Sequence, residues 1–110
     1  MINFTTTSES PLPYFKGGEG TFFARFAGDV SCKILYGRLP VGATIGLHTH
    51  EDTAEIIFFL SGTGKMLLDG EIEPIAAGLC HYCPKGHSHT FMNKSDKDLI
   101  FFAVVPEHNK

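Results

Sequence analysis

Apolar and polar positions along this chain change over in short bursts rather than in helical turns. From Thr21 onward the runs "TFFARFAG", "CKILYGRLP", "ATIGLHTH", "EIIFFLSG", "GKMLLDG", "EIEPIAAG", "LCHYCP", "HSHTFMN" and "LIFFAVVP" follow one another, most of them closed by Gly, Pro or Asn. None sustains a 3.6-residue period and each is too short for a typical helix, so they read as strands. Asp69-Gly70, between "KMLL" and "EIEPI", has the composition of a tight two-residue hairpin. Many short strands, regular turns and no helix candidate predict an all-β sandwich or barrel.

The pattern also divides the chain. Residues 1–20, with Pro11, Pro13 and Gly17-Gly18, read as an arm able to add an edge strand. Residues 21–106 form the barrel, and 107–110 a polar tail whose His108 is expected in solvent. "IIFFL" (56–60) and "LIFFAVV" (99–105) are apolar at every position, so both faces of those strands call for burial. Helices cover the second face in α/β proteins. Here the available covers are the arm and a second subunit, so a homodimer is expected, with a monomer wrapped by its own arm as the alternative.

Composition narrows the class without changing it. The chain has 110 residues, 43% of them hydrophobic, with ten Phe and no Trp. That is one domain with enough apolar surface for a core. Net charge is −3, and the nine Lys and Arg form no run, which argues against nucleic acid or an anionic membrane as partner. No stretch approaches 18 apolar residues and the amino-terminal segment lacks the order of a secretory signal. Three cysteines are an odd number and too few to staple the fold, so a reducing, cytoplasmic setting is expected.

The candidate chemistry lies in "GLHTHEDTAEII", residues 46–57. Side chains alternate along a strand, so His48 and His50 leave one face about 7 Å apart and can converge on an ion. Ile45 and Leu47 then belong to the opposite face. An antiparallel return after "EDTA" brings Glu55 beside the pair, and His87 and His89 repeat the same-face geometry later in the chain. An isolated His-X-His is more often polar surface, and spacing alone leaves that alternative open.

The wider pattern decides between them. Gly42, His48, His50, Glu55 and Gly62 form one set, Gly78, Pro84, Gly86, His89 and Asn93 a second, with 15 residues between. All ten positions resemble the two signature motifs of the cupin superfamily, and the resemblance covers roughly residues 32–105. It implies a double-stranded β-helix, a small jelly-roll barrel holding one divalent metal, with His48, His50, Glu55 and His89 as ligands. Such a set suits Fe, Mn, Ni, Co or Zn. Ligation requires neutral imidazoles, so metal affinity is expected to fall below about pH 6 to 7. Asn93 closes the second motif structurally.

Other groups compete for roles. Cys80 and Cys83 of "CHYC" point to opposite faces of a strand, which spoils joint chelation. His81 shares the face of Cys83 and is expected outside the site. His87 has the parity of His89 and reads as a proton shuttle or substrate contact, or else as a rim residue. Parity also places Thr44, Gly46, Ile57, Phe59, His87 and Phe91 around the pocket, and nominates Arg25, Arg38 and Tyr36 as inward-facing contacts for an anionic small-molecule substrate. The resemblance fixes the fold and metal site far better than the reaction, because one barrel hosts many chemistries. Dioxygenase or oxalate-decarboxylase-like chemistry is slightly favoured over isomerase or lyase. A metal-dependent binding protein without turnover, and a metal that only pins the barrel, are the alternatives.

Overall fold

The computed structural model describes residues 1–107, so His108 and most of the polar tail lie outside the described residues. Strands β2 (Thr21–Gly28), β3 (Cys32–Leu39), β4 (Thr44–Thr49), β5 (Glu55–Ser61), β6 (Thr63–Leu68), β7 (Glu71–Ala76), β8 (Cys80–Cys83), β9 (Ser88–Asn93) and β10 (Leu99–Pro106) occupy the nine apolar runs to within two residues at each end. The arm supplies β1 (Ser10–Pro13) and a 3-10 turn at Phe15–Gly17. β1 pairs only with β2, at the edge of its sheet. Pro11 and Pro13 lack an N–H for a second neighbour, so an edge is where such a strand fits.

Two antiparallel sheets face each other, six strands in the order β1-β2-β3-β10-β5-β8 and four in the order β4-β9-β6-β7. The inward side chains of both form one core. Phe22 stacks on Phe101 at 5.6 Å between ring centroids, and Phe91 meets Phe101 edge-on at 5.3 Å. Offset and edge-to-face pairs of this kind add to the burial that holds two sheets together. Leu39, Ile57, Phe59, Met66 and Leu99 complete it. Asn93 is buried and closes the loop after β9. Its Nδ2 donates to Leu39 O and Lys97 O, and its Oδ1 accepts from Ser95 N.

One local irregularity decides what the histidines face. Ile45 pairs with Phe91 and His48 with His89, so β4 spends three residues where β9 spends two. That bulge reverses the alternation, and Ile45 points inward like His48 rather than away from it. Gly46, inside the bulge, is buried against the arm: a Cβ there would stand 2.0 Å from Lys16 O.

The arm crosses the outer face of the six-stranded sheet, and this corrects the expectation for Arg25, Arg38 and Tyr36. On β3 the inward positions are Leu35, Gly37 and Leu39, so Tyr36 and Arg38 face outward. The ring of Tyr36 lies 5.9 Å from that of Phe4, which also meets Phe102 at 6.1 Å. Arg38 pairs with Glu9 at 2.8 Å and lies over the Phe23 ring at 4.1 Å. Arg25 donates to Phe4 O at 3.2 Å and Thr7 O at 2.7 Å. The two arginines fasten the arm. Beyond its reach Ile56, Phe58, Leu60 and Tyr82 stay exposed on β5 and β8.

Candidate metal centre

His48 ends the bulged part of β4, His50 follows that strand, Glu55 opens β5 and His89 lies on β9. Backbone bonds from His50 N to His87 O and from Gly86 N to His50 O seat His50 against the loop before β9. The ligand atoms of His48, His50, Glu55 and His89 all lie within 4.8 Å of one another. His50 Nε2 is 3.0 Å from His89 Nε2, which is 3.1 Å from His48 Nε2, and Glu55 Oε1 stands 3.1 Å and 3.0 Å from the first two. His89 is fully buried, and His50 and Glu55 are nearly so.

The other ring nitrogens are occupied. His48 Nδ1 faces Gly46 O at 2.7 Å and must donate to it, since a carbonyl only accepts. His50 Nδ1 meets the hydroxyl of Thr53 at 2.7 Å. His89 Nδ1 meets His81 Nε2 at 2.9 Å, and His81 Nδ1 meets Glu73 Oε1 at 2.7 Å. A carboxylate accepts from His81 Nδ1, which leaves Nε2 of neutral His81 to accept from His89 Nδ1. Neutral His48 therefore turns an unprotonated Nε2 into the cluster, and without an ion Glu55 Oε1 is placed to accept from His50 Nε2 and His89 Nε2. A divalent ion would take the place of those protons. The donor set, three imidazole nitrogens and one carboxylate oxygen, suits a divalent metal.

The electrostatics agree. Burial lowers the pKa of His48 below its ordinary 6.5, the Gly46 carbonyl only partly opposing it, so this ring stays neutral at neutral pH. Burial acts to raise the pKa of Glu55, but hydrogen bonds from His50 and His89 outweigh it and hold the group at about 2. Glu55 is ionised at any physiological pH.

The centre opens on a cavity of about 360 Å³. Phe15, Phe22, Phe26, Phe91 and Phe101 form its apolar walls, and Lys16 and Lys33 also line it. Of the parity-based neighbours, Phe91 lines this cavity, Ile57 lies in the core, and Phe59 lines a second cavity with His81 and Glu73. Thr44 instead accepts the N–H of Glu19 in the arm at 2.7 Å.

Two histidines exchange the roles expected of them. His87 precedes β9, where the strand alternation has not begun, and its Nδ1 bonds Asp69 Oδ2 at the exposed hairpin turn. It does not line the cavity. His81 shares the buried face with Cys83, as expected, but that face looks into the barrel and reaches His89. Cys83, buried among carboxylates, has its thiol pushed up to about 11 and points to His87 O and Pro84 O. Cys80 is exposed. Lys16, Lys33 and Thr53 were not among the expected site residues. The arm and the "EDTA" turn that carry Lys16 and Thr53 have no alternation from which to read a direction.

Comparisons with known proteins agree with this geometry. The family model of the cupin domain matches residues 35–105. The oxalate-binding protein of Thermotoga maritima is 40% identical over 68 residues, 62% of this chain and 56% of that protein. The glucose-6-phosphate isomerase of Thermococcus kodakarensis is 36% identical over 64 residues, 54% of this chain but 34% of the isomerase. The chain thus spans from a third to just over half the length of these relatives. Among solved structures, a predicted oxalate decarboxylase of Thermotoga maritima superposes with a TM-score of 0.92 at 26% identity, over 97% of this chain and 98% of the other.

Proposed function

The chain belongs to the cupin domain family, and from that premise we propose that it is a divalent-metal enzyme acting on a small, carboxylate-bearing metabolite. The observation that carries this reading is the convergence of three buried or half-buried imidazoles and the ionised Glu55 carboxylate, whose ligand atoms all lie within 4.8 Å of one another. His48, His50, Glu55 and His89 would hold the metal, which when bound supplies a Lewis acid with positions left for a ligand. The walls of the cavity are largely apolar, and Lys16 and Lys33 offer charge to an anion.

The cavity volume of about 360 Å³ falls within the range for small organic ligands and exceeds what a two-carbon diacid fills. Its five phenylalanines suit an acid with an apolar or aromatic body. An isomerase or lyase would need a general base beside the bound substrate. His87, the base expected from sequence, lies at the Asp69 turn, which removes the support it lent to an isomerase. The relatives named for oxalate support oxidative or decarboxylating chemistry.

A binding protein without turnover is the second reading, supported by the relative named an oxalate-binding protein. The test is reconstitution with Mn²⁺ or Fe²⁺, followed by oxalate and aromatic 2-oxo acids, with oxygen uptake and carbon dioxide release recorded. Turnover of any of these supports the enzyme. A perturbed metal spectrum without turnover supports the binding protein, and failure to take up metal contradicts both. We also propose that the exposed row on β5 and β8 is covered by a second copy of the chain. The arm covers the neighbouring part of the same outer face and stops short of it.

A further inference from the structure

The three histidines of the centre are anchored differently. Two end locally, on the Gly46 carbonyl and the Thr53 hydroxyl. The third, His89, is anchored on another imidazole, and that imidazole on a carboxylate. Glu73 lies on β7 and His81 on β8, edge strands of the two different sheets, so the chain of bonds crosses the seam between them. His81 is buried, whereas the Glu73 side chain is 44% exposed. Both line the second cavity.

His81 Nε2 can either accept from His89 or donate to it, and the two choices have opposite consequences. If His81 accepts, His89 carries its proton on Nδ1 and its Nε2 is free to ligate. If His81 donates, His89 must accept on Nδ1, its proton moves to Nε2, and the ligand is lost. Two carboxylates act on the choice from opposite sides. Glu55 Oε1, 3.0 Å from His89 Nε2, draws the proton to that nitrogen while no ion is bound. Glu73, which can only accept, holds the proton of His81 on Nδ1 and so favours the form with His89 protonated on Nδ1.

A second metal among His81, Cys83 and His89, whose ligand atoms also lie close together, would compete with this reading. It would require the Cys83 thiolate, and burial keeps that thiol protonated. It would also take the His89 nitrogen that already bonds His81.

We propose that Glu73, acting through His81, is a positioning residue that shifts His89 toward the tautomer presenting Nε2 to the metal. The assignment rests on the metal-centre reading above for its purpose, but the tautomer can be read without metal. Outer partners of metal-bound histidines commonly change metal affinity by about 10- to 100-fold when removed.

The test uses full-length protein and the variants Glu73→Leu, Glu73→Gln and His81→Phe, with Glu71→Leu on the same strand as control. Histidine side-chain ¹H–¹⁵N correlation on metal-free protein near neutral pH reads the fraction of His89 protonated on Nδ1. That fraction is expected to be larger in the parent, in Glu73→Gln, whose amide oxygen still accepts, and in the control than in Glu73→Leu, where the fraction protonated on Nε2 alone is expected to rise. Co²⁺ titration is expected to give a dissociation constant raised about tenfold or more in Glu73→Leu and His81→Phe, with Glu73→Gln close to the parent. Glu73 is partly exposed, so its variants report even if His81→Phe fails to fold. An unchanged His89 tautomer in Glu73→Leu, or equal loss of Co²⁺ affinity in Glu73→Leu and Glu73→Gln, would overturn the proposal. A parent that takes up no Co²⁺ would contradict the metal reading, while the tautomers would still decide the role of Glu73.

Discussion

A histidine in this barrel is defined by what its second nitrogen meets. His48, His50 and His89 differ in those partners, and the partners set which nitrogen is free. Burial lowers the pKa of His48 and of His81 from 6.5, Glu73 only partly offsetting it for the latter. The unfolded chain therefore binds protons first as pH falls, and stability that is complete above about 6.5 is lost as pH drops toward the folded values. Glu55, held at about 2 against an ordinary 4.5, adds stability above 4.5 that is lost below it. Thermal melts of metal-free protein are expected to show a melting temperature falling first below about pH 6.5 and again below 4.5. A melting temperature that rises between pH 6.5 and 5 would contradict these environments. Of the four ligand candidates, His48, His50 and Glu55 were legible because they lie close in sequence, and His89 because the second motif of the family pattern includes it. His81 was half legible. Its alternation with Cys83 gave the right face, but which way that face looks depends on a strand from the other sheet.

At the scale of elements, punctuation by Gly, Pro and Asn together with period-two alternation located nine strands. All four motif glycines, 42, 62, 78 and 86, have φ between +77° and +94°, the left-handed region expected of them at turns. What the alternation could not carry was phase across an irregularity. The bulge between Ile45 and His48 adds one residue and reverses every assignment upstream of it in β4. The faces of β3 could not be assigned either, because Leu35, Gly37 and Leu39 alternate with Tyr36 and Arg38, and glycine gives no apolar signal. The arginines turned out to bind the arm, which leads to a separable expectation. Arg25→Met removes two bonds to the carbonyls of Phe4 and Thr7. It is expected to cost about 1 to 3 kcal/mol in chemical denaturation and to leave metal content unchanged. Loss of metal with unchanged stability would instead restore Arg25 to the site.

Across the whole molecule, the same outer face carries two kinds of surface. Over β3 and β10 the arm lays Phe4 against Tyr36 and Phe102. Over β5 and β8 the side chains of Ile56, Phe58, Leu60 and Tyr82 remain between 40% and 53% exposed. A contiguous apolar row on a sheet is where partners bind, and the continuous apolar run "IIFFL" announced it. Light scattering is expected to give twice the chain mass for the parent and a single chain mass for Phe58→Glu, with the fold retained. A monomeric parent would leave the row without the partner proposed for it. The candidate metal centre draws all its residues from one barrel, so Phe58→Glu is expected to leave metal content unchanged.

Everything proposed about chemistry depends on whether four side chains from β4, its following turn, β5 and β9 hold one ion. Elemental analysis of untagged protein purified anaerobically, beside a His48→Ala/His89→Ala double variant confirmed as folded, addresses this. The expected result is near-stoichiometric divalent metal in the parent and its loss in the variant. Iron or manganese would direct the search for substrate to oxidative and decarboxylating reactions. No metal in either preparation, and none taken up when it is added back, would contradict the metal centre and the function built on it.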